Sequence, residues 1–380
     1  MGFEMRRNEI DWIRNIAILM LFPYHTAVIF DNMGSFFIKA QYSHQLATIF
    51  IASTFFWYMP LLFFLAGAST YHAFGKRSTK AYIKERCLRL LVPLVIGILT
   101  VVPSQVYYAL KWRGEYTGSV FEFYRNFLFR FTDFKGTDGA FTPAHLWFIM
   151  FLFVISLMAI PIIKWINTEK GVKFIDSSKN KFLNYKGFIL AYGIFMIAEI
   201  IPRLGDKSLI QNLLLFVFGY ICYSDEDFIN KIDLKRRKCL IISIIGTGLS
   251  VTMYSIVSRW IQPRMALVIL VICTNAVVIP AILAIVGYGR RFLTKHNWLL
   301  KKLNAHSFYI YILHQPILIA CAYYILPLGI PGYLKVIMIL VISFIITLIA
   351  CYILSLILNI YTIGINKVST LITSGSAESK

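Results

Sequence analysis

The sequence predicts an all-α, polytopic membrane protein with ten transmembrane helices and both termini in the cytoplasm. Three observations carry that class. Hydrophobic residues make up 58% of the 380-residue chain and charged ones only 15%, giving a mean hydropathy of +0.69, more apolar surface than a water-soluble fold of this size can bury. The apolar residues fall in runs near the roughly 20 residues a helix needs to cross hydrocarbon. Lysine and arginine collect in short clusters between alternate runs, as basic residues do on the cytoplasmic side.

In chain order, the ten runs cover 11–30, 46–71, 88–110, 144–164, 187–204, 208–223, 239–258, 266–288, 305–326 and 333–359. The fifth and sixth are short and joined by the tight turn "LGDKS". Counting them as one leaves nine spans and breaks the alternation of charge after the fifth. Kept apart, they put all four basic clusters on one side: Lys76 to Lys84, Lys164 to Lys186, Lys231 to Lys238, and Arg290 to Lys302. The segment from Lys111 to Thr142 then lies outside, and its aromatics ("VFEFYRNFLFRF") suit either a lid over an acceptor or an amphipathic stretch at the membrane interface. One membrane domain spans 1–364, and 365–380 is read as a polar cytoplasmic tail without fixed structure.

The net charge of +20 follows from these loop clusters and not from one basic face, so nucleic acid is not expected as a partner. The six cysteines include no C-x-x-C pair, which argues against a zinc site or a disulfide framework, and no metal is expected. Asp11 and Arg14 interrupt the start of the first run, and no small-x-small cleavage site follows it, so it is read as a retained span and not a signal peptide. The glycines of "GTGLS" and "GYGRR" lack a βαβ context and carry no nucleotide fingerprint.

Charged and titratable residues inside such runs are costly, which makes each a candidate site residue. In the first run, Arg14 and His25 stand eleven residues apart, so at about 100° per residue they share one stripe, separated by about 16 Å along the axis. Asp11 lies one turn before Arg14. With the N-terminus inside, Asp11 and Arg14 are at the inner surface and His25 reaches the outer half. Arg86 and Arg89 in "KERCLRLLVP" stand one helical turn apart where the third run begins, a spacing that suits either phosphate binding or ordinary anchoring. His314 lies near the middle of the ninth run with Tyr311 one turn before it, and His145 and Trp147 follow Pro143 at the start of the fourth. Glu199 and Arg203 form an i, i+4 pair in the fifth.

The chain resembles the integral-membrane acyltransferase 3 family. The resemblance rests on "IDWIRNIAILMLFPYHTAVIF" with its Arg14-x10-His25 spacing, "MPLLFFLAGAS", the Arg86-x-x-Arg89 pair, "HLWFIMFLF" and "SFYIYILHQP", in the family's order over nearly the whole chain. The opening stretch is most similar to the glucan succinyltransferase branch. The resemblance implies transfer of an acetyl or succinyl group from cytoplasmic acyl-CoA, a co-substrate and not a resident cofactor, to a hydroxyl of an extracytoplasmic glycan. It carries the essential histidine onto His25, its motif partner onto Arg14, and donor binding onto Arg86 and Arg89; Asp11 is read as a further catalytic candidate, and Arg14 as a further donor contact at the inner mouth. His145, Trp147, Glu199, Tyr311 and His314 are read as oxyanion or acceptor contacts. One departure is Ala66 of "FLAGAS", where many members have serine.

The expected location is the cell membrane, multi-pass, with a homo-oligomer left open. A proton-coupled transporter is the rival reading, since intramembrane histidines also suit ion-coupled flux. No inverted repeat accompanies them, which favours the enzyme. The residues leave open whether His25 is transiently acylated.

Overall fold

The computed structural model describes residues 7–375 apart from 76, 132, 135–138, 183, 201–202, 205–206 and 258–259. Among the described residues helices are the main secondary structure and no strand is formed, with one isolated bridge between Leu204 and Lys207 in the turn that joins the expected fifth and sixth runs. The helices are α1 (Asn8–Leu19), α2 (Leu21–Phe30), α3 (Gln45–Phe74), α4 (Thr79–Arg86), α5 (Val92–Thr100), α6 (Val102–Trp112), α7 (Val120–Phe127), α8 (Trp147–Ile166), α9 (Glu169–Phe182), α10 (Tyr185–Ile200), α11 (Leu209–Tyr223), α12 (Glu226–Val257), α13 (Pro263–Phe292), α14 (Trp298–Ile325) and α15 (Gly332–Gly375).

Among the described residues, seven stretches are long and apolar enough to cross a membrane: Asn8–Phe30, Gln45–Phe74, Thr79–Trp112, Ala144–Ile166, Val268–Phe292, Trp298–Ile325 and Gly332–Ile357. The protein is a multi-pass, all-helical membrane protein. The expected fifth and sixth runs are helices too short for that criterion, and the seventh is the distal part of α12, whose first half carries charge. Outward-facing Ile241, Ile244, Ile245 and Leu249 on α12, with Ile337, Val341 and Ile345 on α15, are exposed apolar side chains of the kind lipid covers. α15 runs on to Gly375, past the boundary expected at 364, because extending an existing helix needs no new nucleus and no proline intervenes.

Without a hydrophobic drive between helices in lipid, close backbone approach at small residues supplies the packing. The tightest crossing joins α3 and α11. A Cβ built on Gly67 would lie 1.8 Å from the Phe216 carbonyl oxygen, and one on Gly219 would lie 2.0 Å from the Phe64 carbonyl oxygen. The glycine of the second-span motif is therefore a packing residue.

A second constraint aligns α1 and α2 with α14. Asn15 donates to Asn304 Oδ1 at 2.7 Å, and ten residues further along both chains the rings of His25 and His314 lie 5.3 Å apart. The constant offset means that the two helices run side by side in the same direction. At the Asn15 end, Arg290 bonds Glu226 and Asn230, each at 2.8 Å, and Arg7 pairs with Glu226, which ties α1, α12 and α13 together. Burial raises the Glu226 carboxyl, but the bonds from Arg290 and Arg7 prevail and hold it below its ordinary range.

The segment between the third and fourth expected runs contains a short helix, α7. Ser119 and Glu122 form a reciprocal capping box at the start of α7, and the Ser119 backbone and hydroxyl bonds lower the Glu122 carboxyl. Phe123 packs on Tyr107 and Tyr116 of the adjoining region, while Phe121 and Phe129 face outward.

We predict that Gly67→Ala and Gly219→Ala each destabilise the protein by about 1–3 kcal/mol, the cost of overpacking where only backbone can yield. Gly193→Ala, which meets nothing within 4 Å, leaves stability unchanged or raised. Thermal unfolding in detergent measures all three.

Candidate active site

Proline at 316 lies inside α14. It has no N–H to give the carbonyl four residues back, and in the membrane interior no water makes up the loss. That carbonyl belongs to Ile312, and His145 Nε2 lies 2.8 Å from its oxygen. The Tyr311 hydroxyl returns the contact by donating to the His145 carbonyl at 2.6 Å. These two bonds staple the bend in α14 to the short 3-10 turn Ala144–Leu146 that precedes α8. Ala144 sits at φ +43°, a left-handed conformation disfavoured for a residue with a Cβ, so the staple holds local strain beside His145.

His314 stands on the same bend, and its Nδ1 lies 2.7 Å from the Tyr311 carbonyl. A carbonyl only accepts, so in the neutral rings His145 carries its proton on Nε2 and His314 carries its proton on Nδ1. Each then offers a lone pair on its other nitrogen. His145 Nδ1, His314 Nε2 and His25 Nδ1 are all buried without a hydrogen-bond partner among the described residues. The His145 and His314 rings are 5.6 Å apart, edge to face. Phe36, from the loop after α2, stacks on His25 at 5.7 Å. That loop is fixed by Lys39 Nζ, which donates to the Val28 and Asp31 carbonyls, each at 2.7 Å, at the end of α2.

These histidines border a cavity of about 790 Å³ that also reaches Trp147, Glu199, Tyr311, Gln211 and Asn275. Six residues singled out from sequence therefore meet at one place: His25, His145, Trp147, Glu199, Tyr311 and His314. Glu199 pairs with Arg203 at 2.6 Å, Gln211 donates to Asn275 Oδ1 at 2.8 Å, and Lys207 Nζ lies over the Trp147 ring at 4.6 Å. The cavity thus joins imidazoles at one end to amides and charged groups at the other. No described residue of the 111–142 segment lines it, whereas Ser35 and Phe36 of the loop after α2 do.

Four other candidates lie apart from the cavity. Arg14 bonds Asp11 at 2.7 Å and Asn304 at 3.0 Å, and Asn304 Nδ2 donates to Asp11 Oδ2 at 3.0 Å. Asp11 is buried, so its charge is carried by this network. Arg86 and Arg89 turn to different partners. Proline at 93 follows a π turn over Cys87–Leu91, in which the Val92 N–H reaches back five residues to the Cys87 carbonyl. In that wider turn three residues subtend a different angle from an α-helix. Arg86 stacks on the buried Tyr82 at 4.6 Å, and Arg89, with 74% of its side chain exposed, pairs with Glu85 at 2.9 Å.

A family model described as an acyltransferase domain matches residues 7–356. The chain belongs to the acyltransferase 3 family. Its matched span takes in all the cavity residues and the Asp11–Arg14–Asn304 network, and membership with the apolar helices makes the chain a multi-pass membrane acyltransferase. Neither a curated protein nor a solved structure matches it.

Sequence reasoning missed Asn304, the Gln211–Asn275 pair, Phe36 and the carbonyl freed by Pro316. Asn275 was detectable, as an amide inside the apolar 266–288 run. Asn304 was not, because nothing local pairs it with Asn15. We predict that Tyr311→Phe, which strips the staple of one buried bond, lowers stability by about 1–3 kcal/mol, measured by denaturation in detergent.

Proposed function

We propose that this acyltransferase 3 protein moves an acetyl or succinyl group from acyl-CoA to a hydroxyl of an extracytoplasmic glycan, with His25 as general base. The observation that supports this most is the cavity in which three histidines with unspent ring nitrogens face amide and charged side chains. A neutral imidazole with a bare ring nitrogen suits removal of a hydroxyl proton. His25 takes that proton, the alkoxide oxygen bonds the thioester carbon, and the C–S bond then breaks. The proton leaves with the thiolate, so the products are an ester and free CoA. Direct transfer is favoured over an acyl-enzyme, since among the described residues the cavity lining includes no cysteine and neither of its serines, Ser35 and Ser208, is bonded to a histidine.

The oxyanion of the tetrahedral intermediate needs donors. Tyr311 spends its hydroxyl proton on His145, and the neutral His145 and His314 spend theirs on carbonyls. Among the described residues that line the cavity, Trp147 has an indole N–H with no hydrogen-bond partner, and we take it as an oxyanion donor. The Gln211–Asn275 amides and the Glu199–Arg203 pair suit vicinal hydroxyls of a sugar, which amide and ionic groups bind through paired hydrogen bonds.

The nucleotide end of acyl-CoA is too highly charged to cross lipid, and we assign its phosphates to the end of the bundle holding Arg14, with Arg86 and Arg89 as further cationic contacts. The parallel run of α1 and α14 supports ten spans over nine, because the first and ninth spans share a direction only if an odd number of crossings lies between them, and the basic clusters favour the cytoplasmic side for both termini. The reading leaves acetyl and succinyl donors equal and places the enzyme in the cell membrane.

In nanodiscs with radiolabelled acetyl-CoA, His25→Ala is expected to lower acyl release or transfer about 10²–10⁴-fold while thermal unfolding stays near that of the unaltered protein. Solute flux without thioester consumption would support the transporter instead.

A further inference from the structure

A general base needs its far nitrogen held by a third group, which fixes the tautomer and stabilises the imidazolium that forms. In many hydrolases that group is a carboxylate. Here the one carboxylate among the described residues bordering the cavity, Glu199, is paired with Arg203. His25 Nδ1 is buried and without a partner among the described residues. The nearest titratable ring is His314, with centroids 5.3 Å apart and planes inclined by 31°, and its Nε2 is likewise buried and unpartnered. Because Nδ1 of His314 is bonded to the Tyr311 carbonyl, the neutral ring offers Nε2 only as an acceptor.

Resting on the acyl-transfer reading above, we propose that His314 is the positioning residue of His25: its Nε2 lone pair accepts the Nδ1–H of His25, so that His25 turns an unprotonated Nε2 to the acceptor hydroxyl. The two rings meet directly after a small rotation, or across one water molecule. When the hydroxyl proton passes to His25 Nε2, the imidazolium charge is stabilised along the chain from His25 through His314 to the Tyr311 carbonyl. No atom is consumed, and the proton leaves His25 with the CoA thiol. His145, bonded to the carbonyl that Pro316 frees, holds the bend on which His314 stands.

The test uses the full chain in nanodiscs with ¹⁵N-labelled histidine and no substrate, reading the tautomer of His25 by NMR. The unaltered protein is expected to show His25 protonated on Nδ1 and bare on Nε2. In His314→Leu that signal splits into both tautomers, while His314→Gln, which keeps an acceptor oxygen, restores the first.

With acetyl-CoA and methyl glucoside as probe substrates, kcat in His314→Leu falls about 10- to 10²-fold with KM within about two-fold, and His314→Gln recovers part of the loss. That is smaller than the roughly 10⁴-fold cost of losing an orienting carboxylate in a serine protease. An unchanged His25 tautomer in His314→Leu overturns the proposal, whatever the activity. Full activity in His25→Ala sinks the acyl-transfer reading instead, and leaves the tautomer result standing by itself.

Discussion

The molecule is organised by the side-by-side run of its first helix and α14. One end of that pairing is held by Asn15 and Asn304 at 2.7 Å and the other brings the His25 and His314 rings to 5.3 Å. Between them, Phe22 packs edge-on against His314 at 6.0 Å, so the contact is apolar through its middle. Polar groups in a bilayer need partners inside the protein, and here the partners are placed about 15 Å apart along one seam. A cationic end and an imidazole end are thereby held at fixed separation, which is the geometry a donor with a charged head and a reactive tip requires.

The proline of α14 gives that seam its chemistry. Pro316 leaves the Ile312 carbonyl open, His145 fills it, and Tyr311 closes the reciprocal bond. The result is a bend whose side chains have settled hydrogen-bond roles: two histidines and a tyrosine whose donors are committed to carbonyls. A proline usually read as a helix breaker thus decides which groups near the cavity give protons and which accept them.

Much of this was legible in the sequence. Lipid-length apolar runs identify the helices because the bilayer sets a fixed length, and a histidine in such a run advertises itself by its cost. His25, His145, Trp147, Glu199, Tyr311 and His314 were each picked out alone, and the fold brings them to one cavity. What stayed hidden depends on packing between distant segments. The Asn304 link to Asp11 and Arg14 spans about 290 residues of chain, and the π turn that separates Arg86 from Arg89 arises from a backbone choice that ideal helical spacing does not anticipate. Gly67 was read as part of a motif, and only the crossing with α11 shows that it is there for want of a side chain.

The central claim is that the reacting carbon is delivered to the cavity at His25. A cryo-EM structure of the protein in nanodiscs with a non-hydrolysable acetyl-CoA analogue tests it most directly. The account predicts the acyl carbon in the histidine cavity, with space for a hydroxyl oxygen about 3–3.5 Å from it and within hydrogen-bond reach of His25, and the phosphates at the Arg14 end. An analogue whose acyl group rests elsewhere, or a His25 ring turned toward lipid, would contradict it.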